Sequence, residues 1–301
     1  MTHVATLIAK PDALDATTVE RARGTLPKAG AAIWLAAGTA ADIPFTPDAG
    51  ADQRALADGL RHLTDALDVV VQPATNRRKK LFLADMDSTM IGQECIDELA
   101  DHAGLKAHVA AITERAMRGE IAFEPALRER VALLKGLPVS VVDDVLAKRI
   151  TLMAGARTLV ATMRANGAYT ALVSGGFTLF TDRVAAMIGF DENRANMLVT
   201  DNGKFAGAVA EPIFGRDGKR AALNDLRTRL QLAKEDTLVT GDGANDIDMI
   251  AEAGLGVAYH AKPKVAAAAA ARIDHADLTA LLYAQGYRKE QFAAVGHDAH
   301  A

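Results

Sequence analysis

The chain has one cysteine, Cys95, in 301 residues. That excludes an internal disulfide framework and a multi-cysteine zinc site, and a reducing cytoplasm is the expected compartment. An excess of charge of one sign is also missing, since the formal net charge is only -4. Lys and Arg are dispersed apart from Arg77-Arg78-Lys79-Lys80, which reads as a solvated linker end, so no nucleic-acid partner is expected. No segment approaches the ~20 apolar residues of a membrane span, and MTHVATLIAKPDALD has no cationic start leading into an apolar stretch. No membrane partner is expected. What is present is a chain with 50% hydrophobic residues, long enough for one large α/β domain and a smaller one.

Residues 1–76 read as a compact α+β unit. Strands are expected at His3 to Ile8, Ala31 to Ala37 and Val69 to Gln72, with helices at Ala16 to Leu26 and Asp52 to Leu67, in a split βαβ arrangement. Gly38, Pro44, Pro47 and Gly50 mark a loop. Pro73 to Lys80 forms a polar linker into the second unit, 77–301. There Leu81 to Ala84 is an apolar run suited to a strand covered on both faces. A helical region of about 92–152 follows, with Ile96, Leu99 and Ala103, then Leu127, Val131 and Leu134, at helical spacing. Alternation then returns: helix Ala156 to Asn166, strand Tyr169 to Val173, helix Thr178 to Ile188, hairpin Met197 to Val209, helix Lys219 to Leu230, strand Thr237 to Thr240, helix Asp246 to Glu252, strand Gly256 to Tyr259. This is the pattern of a Rossmann-like parallel sheet interrupted once by a helical insertion. Ala266 to Ala271 reads as surface helix, and the tail from Lys289 as polar and mobile.

Three of these strands end in polar, acidic or glycine-bearing turns: ADMDST, VSGGFT and TGDGAND. Parallel strands bring such turns to one edge of the sheet. Each alone would serve any tight connection; three in this order converge. Asp85, Asp87, Asp242 and Asp246 offer hard oxygen donors suited to Mg2+. Ser174 with the backbone of Gly175-Gly176 forms an anion-binding corner, and Lys219 adds a positive charge. A phosphate held between cation and lysine, with an aspartate able to attack phosphorus, is the chemistry these groups allow.

In order, DMDST, VSGGF, Lys219 and GDGAND resemble the four signature elements of the haloacid dehalogenase-like phosphotransferases. Over nearly all of residues 80–285 the chain resembles the phosphoserine phosphatases of that superfamily. The resemblance implies Asp85 as nucleophile and Asp87 as general acid and then base. It implies Mg2+ held by the Asp85 carboxylate, the Asp87 carbonyl and Asp242, with Asp246 orienting water beside it. Ser174, Gly175, Lys219 and Asn245 would hold the phosphate. The helical insertion resembles the family's small cap, where Glu94 would bind a substrate ammonium and Arg130, in FEPALRER, its carboxylate. Met117 and Phe123 would close the pocket, and Cys95 reads as a buried packing residue. The substrate implied is O-phospho-L-serine, hydrolysed in the last step of serine biosynthesis.

The N-terminal unit resembles, by element order, the ACT-like domain that precedes some phosphoserine phosphatases. Its first turn, KPDALDATT, lacks the glycine of amino-acid-binding versions, so a homodimer through this unit is expected in place of serine sensing. Two other functions stay open on the residues: transfer of the phosphoryl group to an alcohol such as homoserine, and a metal-dependent phosphometabolite sensor.

Overall fold

The computed structural model describes residues 1–117 and 120–296. The N-terminal unit runs β1 (His3–Ile8), α1 (Ala16–Thr25), β2 (Ile33–Ala36), β3 (Ala40–Phe45), α2 (Gln53–Arg61) and β4 (Asp68–Pro73). Its strands form an antiparallel sheet in the order β2-β3-β1-β4, the split βαβ topology. Asp15 and Asp52 start the helices, their carboxylates accepting from Thr18 N–H at 2.6 Å and Arg54 N–H at 2.9 Å. Strand β3 occupies the stretch expected to be a loop, and α2 ends at Arg61, short of Leu67.

This sheet is buried on both faces, as period-two strands allow. Ala5, Leu7, Val69 and Val71 pack with Val19, Ala22 and Leu60 in the unit's own core. The alternate residues Ile8 and Val70, with Leu35 and Ala40, belong to the core of the rest of the chain.

The remaining chain runs β5 (Leu81–Ala84), α3 (Cys95–His102), α4 (Lys106–Met117), α5 (Phe123–Ala132), α6 (Val141–Lys148), α7 (Ala156–Ala165), β6 (Tyr169–Phe177) and α8 (Thr178–Ile188). It continues with β7 (Glu192–Asn196), β8 (Leu198–Asp201), β9 (Lys204–Val209), α9 (Arg216–Arg229), β10 (Thr237–Gly241), α10 (Ile247–Glu252), β11 (Leu255–Tyr259), α11 (Pro263–Ala268), β12 (Ala271–Ile273) and α12 (Ala280–Ala284). Among the described residues, six strands form a parallel sheet in the order β12-β11-β10-β5-β6-β7. Leu81, Leu83, Ala171, Val173 and Val239 face α9 and α10, and Phe82, Ala84, Leu172 and Leu238 face α7, α8 and α12. The strand order reverses at β5, with β6 on one side and β10 on the other. A crevice therefore opens at the carboxyl end of β5.

Helices α3 to α6 form the insertion above that crevice. Its two connections are stitched together: Met153 N–H donates to Met90 C=O at 2.9 Å and Gly92 N–H to Thr151 C=O at 3.0 Å. The hairpin β8–β9 supports it from the side, with Gly136 N–H on Phe205 C=O at 2.8 Å.

Several expectations are corrected. The basic cluster is solvated only in part: Arg78 and Lys80 are exposed, Arg78 stacking 4.2 Å over the Tyr287 ring, whereas Arg77 reaches across to Asp42 of the N-terminal unit at 2.6 Å and Lys79, 8% exposed, donates to Glu235 C=O at 2.8 Å. Residues 266–271 split between α11 and the edge strand β12, which satisfies its backbone against β11. The tail is docked through Phe292, packed on the core 5.0 Å from the Tyr283 ring, and through Ala293, whose N–H donates to Thr162 Oγ1 at 2.8 Å. Residues 297–301 lie outside the described residues.

Candidate active site

Asp85 leaves β5 with its N–H on Thr240 C=O at 3.0 Å. The chain then turns tightly: the N–H groups of Thr89, Met90 and Ile91 all converge on Met86 C=O, and Ser88 takes the left-handed conformation, φ 56. Asp85 Oδ1 accepts from Met86 N–H at 2.7 Å and from Lys219 Nζ at 2.6 Å. Oδ2 has no hydrogen-bond partner among the described residues. Asp87, two residues on, carries a buried Oδ1 with no hydrogen-bond partner among the described residues.

The other strand ends close around this pair. Beyond β10, Asp242 Oδ1 accepts from Thr89 Oγ1 at 3.2 Å, and Asp246 folds back so that Oδ2 accepts from Gly243 N–H at 3.0 Å. The fold-back needs Gly241, where a Cβ would stand 2.4 Å from Asp246 Cγ. Lys219, fully buried one turn into α9, bridges Asp85 and Asp246, at 2.7 Å from the latter. At the end of β6, Ser174 Oγ accepts from Gly176 N–H at 2.9 Å. A Cβ on Gly176 would lie 3.1 Å from that oxygen and 3.4 Å from Asp87 Oδ2, so glycine keeps the floor open.

Charge is unbalanced here. Burial and the Asp246 charge push Asp85 well above the usual carboxylate range, against the pull of Lys219. Burial and the Glu94 charge push Asp87 up to about 7, against the polar groups of Cys95, and burial and Asp246 push Asp242 up to about 6. Burial alone would lower Lys219, but Asp246 and Asp85 outweigh it and raise it. One oxygen each from Asp85, Asp242 and Asp246 lie within 4.8 Å of one another. An all-oxygen donor set with more carboxylates than cations fits a hard divalent ion. The Asp87 carboxylate lies outside that trio, which leaves its carbonyl as the donor to test.

Above these groups is a cavity of ≈ 140 Å³ roofed by the insertion through Glu94, Ile96, Phe123, Leu127 and Arg130. Glu94 precedes α3 and accepts from Ser88 Oγ at 2.8 Å. Arg130, half-buried in the last turn of α5, donates from Nε to Ala126 C=O at 3.3 Å. Burial pushes its guanidinium down, and Asp97 and Glu94 oppose that. Phe123, at the start of α5, stands 3.4 Å from where a Gly175 Cβ would be. Ser174, Gly175 and Asn245 line the same cavity. Lys219 meets Asp85 beneath it. Met117 closes α4, and its side chain lies outside the described residues.

Sequence reasoning overlooked Lys262 and Thr89. Lys262 lines the cavity, gives its N–H to Asp242 C=O at 3.3 Å, and its charge opposes the rise of Asp242. The signal was there: Lys262 follows β11, a fourth strand ending at the same edge. Cys95 is buried, as expected, and its thiol faces Asp87, which together with burial pushes that thiol up.

Comparison with known proteins adds the following. The profile of the haloacid dehalogenase-like hydrolase family matches residues 82–251. Over 208 residues the chain is 48% identical to a phosphoserine phosphatase of Polaromonas sp., covering 67% of this chain and 88% of that protein. It is 43% identical over 218 residues to phosphoserine phosphatase SerB2 of Mycobacterium tuberculosis, covering 72% of this chain and 53% of the other. A crystal structure of a haloacid dehalogenase-family hydrolase from Salmonella enterica serovar Typhi superposes with a TM-score of 0.84 at 29% identity, covering 96% of this chain and 99% of that one. A phospho-aspartyl intermediate analogue of phosphoserine phosphatase superposes with a TM-score of 0.64 at 39% identity, covering 68% and 98%.

Proposed function

The chain belongs to the haloacid dehalogenase-like hydrolases, and from that premise we propose that it hydrolyses O-phospho-L-serine to L-serine and inorganic phosphate, with Asp85 as nucleophile. The observation that carries this reading is one cavity holding two sets of groups. Its floor, Asp85, Asp87 and Ser174 above Lys219, suits phosphoryl transfer; its roof offers Glu94 and Arg130, opposite charges for an ammonium and a carboxylate.

Lys219 and Met86 N–H pin Asp85 Oδ1, so Oδ2 is the oxygen that attacks phosphorus. As the phosphorus–oxygen bond to serine breaks, Asp87 gives its proton to the departing oxygen. A value near 7 keeps Asp87 partly protonated at neutral pH. The Asp87 carboxylate then takes a proton from water, the water oxygen attacks phosphorus, and the bond to Asp85 breaks to release phosphate. Ser174 and the Gly175 backbone hold phosphoryl oxygens, Asn245 borders them, and the Lys219 ammonium lies beneath. We place Mg2+ at Asp85, Asp242 and the Asp87 carbonyl, beside Asp246, where it would neutralise phosphoryl charge and let an anionic nucleophile approach.

Arg130 reads the substrate carboxylate in a bidentate contact and Glu94 its ammonium. Phe123 shuts out water. The N-terminal unit acts as an ACT-like dimerisation module, and the protein works in the cytoplasm. The test is phosphate release from phosphoserine, phosphothreonine and several sugar phosphates with Mg2+, with and without added homoserine. Preference for phosphoserine, with release unchanged by the alcohol, is expected. Preference for a sugar phosphate, or release suppressed by the alcohol as a new phosphoester forms, would overturn the reading.

A further inference from the structure

Four acids, Asp85, Asp87, Glu94 and Asp242, line the catalytic cavity against two cations, Arg130 and Lys262. A phosphate dianion has to enter past that excess of negative charge. Lys219 lies beneath the cavity, already 2.6 Å from Asp85 and 2.7 Å from Asp246. Arg130 is set in the roof, with Nε on Ala126 C=O at 3.3 Å, where the proposed function gives it the substrate carboxylate. Lys262 is left without a task.

The fold fixes the Lys262 backbone at this spot. After β11, His260 takes the left-handed conformation, φ 44, with its N–H on Ile273 C=O at 2.8 Å and Nε2 donating to Ala276 C=O at 2.9 Å. A residue other than glycine is uncommon there, and such outliers gather at functional sites. The turn carries the chain to the loop behind β10: Lys262 N–H donates to Asp242 C=O at 3.3 Å, and Pro263, the next residue, restricts Lys262 to extended backbone.

The Lys262 side chain is exposed and has no carboxylate within 4.0 Å among the described residues. Its charge still acts on the cavity floor: burial, Asp246 and Glu94 raise Asp242, and the Lys262 ammonium opposes them. The cavity thus has an unpaired ammonium on its solvent side, at the end where the phosphate would sit, and a buried one, Lys219, below.

We propose that Lys262 is a second phosphate-binding residue, its ammonium meeting a phosphoryl oxygen from the solvent side, both in the substrate and in the inorganic phosphate left after hydrolysis. The inference rests on the phosphoryl-transfer reading of the floor. A contact made to phosphate in substrate and product alike adds binding without favouring the transition state, so its loss falls on KM and leaves kcat. The experiment compares the native full-length protein with Lys262→Met and Lys262→Arg in Mg2+, by calorimetric titration with inorganic phosphate and by steady-state hydrolysis of phosphoserine and p-nitrophenyl phosphate. Lys262→Met should weaken phosphate binding, and raise KM for both esters, by roughly tenfold or more, as for loss of a charge-assisted hydrogen bond. Lys262→Arg should restore most of both, and the gap between native and Lys262→Met should narrow at high KCl, where exposed charges are screened. Unchanged phosphate affinity in Lys262→Met, a loss confined to phosphoserine, or a loss repaired by added Mg2+, which would put the effect on the ion at Asp242, would overturn the proposal. A native protein that binds no phosphate and hydrolyses neither ester would overturn the phosphoryl-transfer reading, and this proposal with it.

Discussion

Lys219 and Asp85 meet at 2.6 Å, with the ammonium fully buried and the carboxylate side chain 7% exposed. The same ammonium lies 2.7 Å from Asp246. Taking one partner from a buried pair leaves an uncompensated charge, so Lys219→Met should lower the unfolding free energy by roughly 3–5 kcal/mol at pH 8. Adding Asp246→Asn should recover part of the loss. Urea unfolding of both variants checks this, and a single variant as stable as the native protein would contradict it.

The acids around Lys219 also predict how the metal acts on stability. Asp87 is pushed up to about 7 and Asp242 to about 6, whereas an unfolded aspartate titrates at about 3.9. Acids raised in this way favour the fold while protonated, below about pH 4, and withdraw that support as pH climbs through 6 and 7. A bound cation reverses the penalty, since it takes the deprotonated ligands. Hence Mg2+ should raise Tm, relative to excess chelator, more at pH 8 than at pH 5. Equal shifts at both values would show that the Asp242 carboxylate does not hold the ion.

Asp85→Asn should abolish turnover while leaving the fold intact, because the amide removes the nucleophilic charge at nearly constant volume. Asp87→Asn should cost about 10²-fold or more in kcat, the usual worth of a positioned acid–base group. Steady-state rates beside circular dichroism separate lost chemistry from lost structure. Native-like rates in either variant would remove the assigned mechanism.

How much of this was legible in the sequence follows from where the information is local. Leu81 to Ala84 and Thr237 to Thr240 read as buried parallel strands because both faces are covered, and the turns behind them had to carry the polar groups. Strand β3 was hidden by Pro44. Its carbonyl accepts from Gly30 N–H at 2.8 Å, so its nitrogen faces the same side, beyond the last β2 partner, Ile33 opposite Asp42. The ladder to β1 loses nothing there. Strand β7, ENRAN, carries almost no apolar residue because it lies at the sheet edge, and β12 follows an alanine run whose intrinsic preference is helical. Lys262 was missed because its relation to Asp242 exists only after β11 pairs with β10.

The joint between the units was equally invisible, and it carries its own prediction. Asp68, fully buried on β4, accepts from the N–H groups of Asp274, His275 and Ala276 at 2.7, 3.1 and 2.8 Å. Asp68→Ala should destabilise the whole protein by at least about 1.5–3 kcal/mol, the worth of one charge-assisted hydrogen bond. Removing residues 1–76 should leave the catalytic groups in place but expose the surface that Ile8, Leu35 and Val70 cover. The shortened chain should melt lower and aggregate sooner, with turnover per folded molecule retained. A folded, inactive fragment would show that the N-terminal unit contributes to the site.

The central claim is that the roof of the cavity reads an amino acid, and Arg130 tests it most directly. Phosphoserine carries an ammonium and a carboxylate that p-nitrophenyl phosphate lacks, while both present the same phosphate to Asp85 and Ser174. The measurement is kcat/KM for Arg130→Ala on the two substrates. Phosphoserine turnover should fall by roughly 2–5 kcal/mol in transition-state stabilisation, the range for truncating one partner of a desolvated charge pair, and the aryl phosphate should change far less. Glu94→Gln should show the same selectivity in milder form. Equal losses on both substrates would mean that Arg130 serves cap folding or closure, and no loss on either would contradict the account.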